Sequence, residues 1–209
     1  MVRAAILASG DGGRLQAILD AMYFKEIENI ELVAVICPQR DAYAMKRALN
    51  AGVPAYVVDP DLFPTNTSHS MAVANKLKDM DIELVILADY GRHLGVIPYQ
   101  FRNRIIGTVP YLYPAFDGQE EDVHRAVLER GVKVTGATAY FADGDGGVGG
   151  IILQKAVEVR PDDTPETLGL RVMEECEWKL LSRAVALYCA GRLQIRGKRV
   201  VIRAEEKEE

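Results

Sequence analysis

Short unbroken runs of apolar residues mark the first half of the chain, and between them apolar residues recur every three or four positions. Unbroken runs are typical of strands in a parallel sheet covered on both faces, and the helical spacing indicates amphipathic helices. The alternation predicts an α/β fold, Rossmann-like and doubly wound, with a mainly parallel sheet. The predicted strands are residues 4–8, 31–36, 55–58, 83–88 and 104–108, with helices after the first strand, over 43–50 and around 70–79.

The pattern changes after Pro114. Thr164 and Pro165 have the residue types of a helix cap and a first helical residue, so they open the last long helix, and Gly191 ends it. The other predicted elements are a helix over 120–129, strands over 133–141 and 150–159 with a glycine-rich loop over 142–149 between them, and short strands over 192–195 and 199–203.

No interdomain linker or internal repeat interrupts this succession of elements. Residues 1–203 are therefore predicted to form a single domain. The last six residues, 204–209, are mostly glutamate and are predicted to be a disordered acidic tail.

Composition narrows the class of function. The 209 residues include 25 basic and 30 acidic side chains, for a formal net charge of −5, whereas domains that bind nucleic acid are usually basic. No apolar run is long enough to span a membrane, and the chain opens directly into a strand, so we expect a cytoplasmic protein with neither nucleic-acid nor membrane partners. The three cysteines and three histidines share no metal-ligand spacing, so no metal is expected.

The first feature with a chemical interpretation is the turn after the first strand. Gly10, Gly12 and Gly13 can adopt positive φ and turn backbone amides outward at the start of a helix, which favours a phosphate. The third glycine of the dinucleotide fingerprint is replaced by Leu15, and no acidic residue ends the second strand. A mononucleotide or sugar phosphate therefore fits better than NAD. The alternative is a tight turn without a ligand.

A set of segments along the whole chain resembles the glycinamide ribonucleotide (GAR) formyltransferases. The opening Ser-Gly-Asp-Gly-Gly-Arg-Leu-Gln-Ala-Ile is similar to the family's Ser-Gly-Asn-Gly-Ser-Asn-Leu-Gln-Ala-Ile. Further similar segments follow in the family's order, at residues 124–131, 135–141, 149–154, 162–168 and 191–193.

The resemblance implies a formyltransferase type of sheet and a place in purine biosynthesis. It implies a phosphoribosyl ligand whose phosphate lies at Gly12, Gly13 and Arg14, and 10-formyltetrahydrofolate or a related reduced folate as cofactor. The phosphate-binding half would be residues 1–108, and the folate and active-site half residues 109–203. The resemblance leaves open whether the protein is a homodimer.

The residues that carry the family's chemistry are replaced. Residues 107–114 read Gly-Thr-Val-Pro-Tyr-Leu-Tyr-Pro where the family has Asn-Ile-His-Pro-Ser-Leu-Leu-Pro. Gly107 and Val109 thus occupy the positions of the catalytic Asn and His, and Val148 occupies that of the loop Asp. Formyl transfer passes through a tetrahedral oxyanion that needs hydrogen-bond donors and a route for a proton. The replacements predict that catalysis is lost or strongly impaired.

Other ligand positions differ as well. The family's substrate-side Arg falls at about Asn66. The Glu on its last helix falls at Cys176, between Glu175 and Glu177, and a shift of one residue would restore a carboxylate. The family's folate segment Leu-Ala-Gly-Phe-Met-Arg-Ile-Leu corresponds to residues 87–94, in which the cleft residues are Asp89, Tyr90, Gly91, Arg92, His93 and Leu94.

Two functions remain open from the sequence. One is a binding paralogue that retains the phosphate turn without formyl transfer, which the replaced residues favour. The other is an active transferase with a relocated residue set, for which Asp145 and His124 are the candidates. Glycine-flanked aspartates are more often turn formers, and His124 has the alternative role of helix packing.

Overall fold

A sheet of seven strands forms the centre of the protein, in a computed structural model that describes residues 1–118, 122–144 and 146–204. Its order is β3-β2-β1-β4-β5-β6-β7. The strands are β1 (Val2–Ala8), β2 (Ile30–Cys37), β3 (Ala55–Val57), β4 (Leu84–Ala88), β5 (Ile105–Val109), β6 (Val134–Asp143) and β7 (Gly147–Glu158).

The strands from β3 to β5 in this order are parallel, whereas β6 and β7 each run antiparallel to the strand before them. Residues in the middle of β1 and β4, such as Ile6 and Ile86, are fully buried. Helices therefore cover both faces, which is why these strands read as unbroken apolar runs. The predicted α/β, Rossmann-like and mainly parallel fold is confirmed.

Helices connect the strands. Two of them begin at a threonine cap, Thr65 and Thr164, each of which accepts a hydrogen bond from the backbone three residues on. The helices are α1 (Gly13–Tyr23), α2 (Tyr43–Asn50), α3 (Asn66–Asp79), α4 (Ile97–Gln100), α5 (Val123–Glu129), α6 (Pro165–Val172) and α7 (Trp178–Cys189), and a π-helical turn (Met173–Glu177) joins α6 to α7 without a break.

In the second half of the chain, the structure differs from the sequence prediction at residues 142–149, which were expected to form a loop. Strand β6 extends to Asp143 and β7 begins at Gly147, so a short turn joins them. Two glycines in β7 have close neighbours, because a Cβ on Gly149 would lie 2.6 Å from the Phe141 carbonyl oxygen and a Cβ on Gly150 would lie 2.8 Å from Val200 Cγ2. Val200 belongs to β9 (Arg199–Ile202), which pairs with β8 (Leu193–Arg196). Most of the predicted disordered tail, residues 205–209, lies outside the described residues.

The topology creates a crevice between β1 and β4. The chain moves from β1 outward to β3 and then returns to place β4 on the other side of β1. At such a switch point the connections after the two strands leave in opposite directions, which opens a crevice beyond their carboxyl ends. The turn of residues 9–13 and the segment that begins at Asp89 both lie there.

Candidate functional site

The glycine turn after β1 has the backbone that its sequence predicts. Gly10 has φ +58° and Gly12 has φ +71°, and Gly12 caps α1. A Cβ on Gly12 would lie 2.9 Å from Ala44 Cα in α2, whereas a Cβ on Gly10 would meet nothing within 4 Å. Gly12 is therefore required for two reasons, its backbone conformation and the approach of a second helix.

We expect the two glycines to respond differently to alanine. Gly10→Ala should lower the free energy of unfolding by about 1 to 2 kcal/mol, the cost of a left-handed non-glycine residue. Gly12→Ala should lower it by about 2 to 5 kcal/mol, because overpacking against α2 adds to the same strain. Urea unfolding measures both values, and equal losses would contradict the close approach. Gly12 is consequently a poor position at which to test ligand binding.

One amide of this turn already has a partner. The Gly13 N–H donates to Asp11 Oδ1 at 3.0 Å. Arg47, on α2, donates from Nε to the Asp11 carbonyl oxygen at 2.7 Å and holds a positive charge beside the turn. An anion at this turn would therefore meet a guanidinium on one side and compete with the Asp11 carboxylate on the other.

The Arg14 guanidinium has two carboxylate partners within the protein. It forms ion pairs with Asp89, after β4, and with Glu177, at the end of the π-helical turn. The Thr108 hydroxyl in β5 donates to the same Glu177 oxygen at 3.2 Å. The Arg14 side chain is only 14% exposed and Glu177 only 3%. These four residues, the Arg14 cluster, pair one cation with two carboxylates and a hydroxyl beside the carboxyl ends of β1 and β4.

The π-helical turn brings Glu177 to the crevice. A π turn holds one residue more than an α-helical turn, so the residues after it are rotated by roughly 100° relative to a continuous α-helix. Cys176 is fully buried in the core, and burial raises the pKa of its thiol. Glu175 is exposed. The structure thus places Glu177 at the crevice, and the acidic residues around Cys176 were the sequence signal for it.

The predicted folate segment divides between the crevice and the core. Asp89 has φ +58°, and its carbonyl oxygen accepts a hydrogen bond from the Ser9 hydroxyl, which ties β4 to the glycine turn. Tyr90 is 4% exposed and its hydroxyl has no partner among the described residues. Burial, with Cys37 nearby, raises the Tyr90 pKa, and burial raises the pKa of Cys37 to about 11. Both groups therefore stay neutral at physiological pH.

The other residues of the predicted folate segment are exposed or make contacts within the protein. Arg92 and His93 are exposed, and His93 Nδ1 accepts from the Gly95 N–H at 3.4 Å. Gly91 has φ +62°, and Leu94 is buried against Gly146 of the β6–β7 turn. Asn66, expected on the substrate side, is the exposed first residue of α3.

Gly107 and Val109 lie on one face of β5, opposite Tyr140 and Thr138 of β6. A Cβ on Gly107 would lie 3.2 Å from Leu87 Cδ1 and 3.3 Å from the Tyr140 hydroxyl oxygen. The tyrosine hydroxyl and the leucine thus occupy the space that a side chain at position 107 would enter. Val109 is buried.

Val148 lies in a different part of the sheet. It pairs with Ala142 across the β6–β7 hairpin, whereas Val109 pairs with Thr138 on the other side of β6. Ala142 and Thr138 are four residues apart on one strand, or about 13 Å. Gly107 pairs with Tyr140, two residues from Ala142 or about 7 Å, so Val148 is displaced along the sheet from both of the other replaced positions.

Asp145 and His124 are the two candidates for replacing the lost catalytic residues, and the structure describes one of them. Asp145 lies outside the described residues. His124, in α5, packs against Gly169 of α6, and its Nδ1 has no hydrogen-bond partner among the described residues. Burial lowers the His124 pKa, and the negative charges of Glu177 and Asp122 act in the opposite direction. The Glu177 charge that acts on the His124 pKa is the same one that pairs with Arg14.

Neither a metal-binding group nor a membrane-spanning helix is present in the part of the chain that the structure describes. Among residues 1–118, 122–144 and 146–204, no three His, Cys, Asp or Glu side chains come together as a metal-binding group. Within the same ranges no helix is long and apolar enough to cross a membrane.

Comparison with known proteins gives matches over nearly the whole chain. Residues 2–185 match the family described as formyl transferase. The trifunctional purine biosynthetic protein adenosine-3 of Gallus gallus is 34% identical over 195 residues, which are 93% of this chain. The chain spans only 19% of that relative's length.

Two other relatives match over more than nine tenths of both chains. The phosphoribosylglycinamide formyltransferase of Haemophilus influenzae is 28% identical over 94% of this chain and 91% of its own. The crystal structure of glycinamide ribonucleotide transformylase 1 from Symbiobacterium toebii superposes with a TM-score of 0.90 at 41% identity, covering 98% of this chain and 95% of that one.

Proposed function

The chain belongs to the formyl transferase family, and from that premise we propose that it is a phosphoribosyl- or nucleotide-binding member, related to purine biosynthesis, in which formyl transfer is lost or strongly impaired. The observation that carries the proposal is at β5. Gly107 has no side chain, and the Tyr140 hydroxyl and Leu87 fill the space beside it. Val109 adds only an apolar surface.

Formyl transfer from 10-formyltetrahydrofolate to an amine makes two demands on a site. Donors must point at the oxygen that becomes negative in the tetrahedral intermediate, and a group must accept the proton that leaves the amine. Position 107 supplies no donor, and Val109 can neither donate nor accept a proton. The side chains at the chemical step therefore do not fit the folate's formyl group, and no step of transfer follows from them.

The crevice supports binding better than chemistry. Its glycine turn lies at the start of α1, where backbone amides and the helix dipole favour an anion, and Arg47 adds a positive charge beside it. Arg14 is held by two carboxylates, so the cation for a phosphate is Arg47 rather than Arg14. We propose a ligand whose phosphate lies at this turn, with its sugar directed toward Asp89 across the crevice.

The proposal is tested through Asp11. Asp11→Asn keeps an oxygen for the Gly13 N–H but removes the negative charge, so ribose 5-phosphate should bind about three- to tenfold more tightly. Isothermal titration calorimetry at low ionic strength measures the affinity, with ribose as the ligand that lacks phosphate. Asp20→Asn, a matched charge change further along α1, should leave the affinity unchanged. Absence of binding to both proteins would contradict the phosphate site.

One observation favours the second candidate function, an active transferase with relocated residues. His124 Nδ1 has no hydrogen-bond partner among the described residues, and the negative charge of Glu177 acts on its pKa, so His124 is a titratable group of a kind that β5 lacks. If formyl transfer occurs, His124→Ala should abolish it, whereas His93→Ala, at an exposed histidine, should not.

A further inference from the structure

A cavity of about 860 Å³ lies away from the crevice, between the β6–β7 hairpin and the two-stranded β8–β9 sheet. We call it the ribbon pocket. Arg102 and Asn103, which line one side, precede β5 and lie at its amino end, whereas the crevice lies at the carboxyl ends of β1 and β4. Its volume is in the range of sites for small organic ligands.

The inner wall of the ribbon pocket is apolar. Phe141 is buried, and it packs edge-on against Tyr188 of α7 at a ring separation of 6.2 Å, so its position is fixed from behind. Val148 and Ile151 of β7 and Val200 of β9 add aliphatic surface. Such a wall suits a ring or a short hydrocarbon group rather than a sugar.

The rim is positively charged. Arg102 lies on one side, and Lys198 and Arg199 lie in and beside the turn of the β8–β9 sheet. Within the described parts of the chain, none of these three side chains has a hydrogen-bond or ion-pair partner. The acid among the described lining residues, Asp143, accepts from the Gly144 N–H at 2.8 Å. Three unpaired cations around one cavity stand out in a chain whose net charge is −5.

From this combination we infer that the ribbon pocket is a binding site for a small amphipathic anion, with an apolar or aromatic ring against Phe141 and an acidic group at the cationic rim. A ring alone would leave the cations unpaired, and an inorganic anion alone would leave the apolar wall in contact with water. The site is independent of the proposed phosphate site, because the two share no residue.

Two fluorescent probes that differ in one group test this site. 1-Anilinonaphthalene-8-sulfonate carries a sulfonate, and N-phenyl-1-naphthylamine is its neutral counterpart. The sulfonate should bind with a blue-shifted emission. Lys198→Gln/Arg199→Gln should weaken binding of the sulfonate probe about three- to tenfold, because one or two exposed charge pairs contribute that much to an affinity. The affinity of the neutral probe should change less than twofold.

The control is Lys78→Gln/Lys133→Gln, which removes two exposed charges outside the pocket. Arg102→Gln, on a separate segment, repeats the test if the double variant unfolds, and thermal melting establishes folding in each case. Equal weakening by the control, or an equal effect on both probes, would overturn the inference. Binding of ribose 5-phosphate should be the same in all these variants.

Discussion

Purified protein supplied with 10-formyltetrahydrofolate and GAR is expected to release no formylated product above the uncatalysed background. Loss of one oxyanion donor costs roughly 10² to 10³ in rate, and loss of acid–base assistance costs roughly 10² to 10⁴. Gly107 and Val109 remove both, and Tyr140 and Leu87 leave little room beside the first for another side chain. Even though such losses are not additive, the remaining rate should be below detection.

The measurement is a coupled assay for release of tetrahydrofolate, with the Haemophilus influenzae phosphoribosylglycinamide formyltransferase as positive control. Transfer by the unmodified protein that disappears in His124→Ala would contradict the proposal and support the relocated site. Transfer that survives His124→Ala would mean that neither β5 nor His124 supplies the chemistry.

The triple change Gly107→Asn, Val109→His and Val148→Asp should not restore activity. A side chain at 107 must displace the Tyr140 hydroxyl, whose oxygen would lie 3.3 Å from its Cβ. A carboxylate at 148 is paired with residue 142 of β6, about 13 Å along that strand from residue 138, which pairs with position 109. Restored transfer would mean that the hairpin rearranges when a ligand binds. Adding Tyr140→Phe to the same three changes removes the hydroxyl beside position 107 and so tests that steric obstacle separately.

The parallel half of the fold could be predicted from the sequence because its signals are local. The unbroken runs of β1 and β4 result from burial on both faces, and the glycines after β1 reflect backbone conformations that few other residues adopt. Thr164 and Pro165 indicate the start of α6 because the Thr164 side chain accepts a hydrogen bond from a backbone N–H of the first turn and Pro165 has no N–H that would need a partner.

The crevice could not be predicted in the same way because its contacts are distant in sequence. Arg14 and Glu177 are 163 residues apart, and no spacing indicates that they pair. The π-helical turn that rotates Glu177 into the site depends on packing across α6 and α7 rather than on residue type. The sequence pattern predicts a loop over residues 142–149, whereas Gly149 lies within β7, where a Cβ would lie 2.6 Å from the Phe141 carbonyl oxygen of the neighbouring strand.

The second large effect is expected on stability. Arg14→Met should lower the free energy of unfolding by about 3 to 5 kcal/mol, because it leaves the buried Glu177 carboxylate without its cation. Asp89→Asn, at a more exposed partner of the same arginine, should cost less than about 1 kcal/mol. Arg14→Met/Glu177→Met should recover most of the loss, since a buried ion pair can often be replaced by apolar side chains of similar volume. Urea unfolding at neutral pH measures all three.

Stability and ligand affinity measured on the same variants distinguish two roles for Arg14, as a partner of Glu177 or as a ligand of the phosphate. If Arg14 were a free cation that holds the ligand's phosphate, Arg14→Met would change stability little and would weaken ribose 5-phosphate binding severely. The ion pairs with Asp89 and Glu177 predict the opposite. The single variant Arg14→Met should lose much stability, and the refolded double variant Arg14→Met/Glu177→Met should bind ribose 5-phosphate with nearly unchanged affinity. Arg47→Met, at the cation beside the turn, should then carry the loss of binding. Strong binding by Arg47→Met and none by the double variant would assign the phosphate to Arg14.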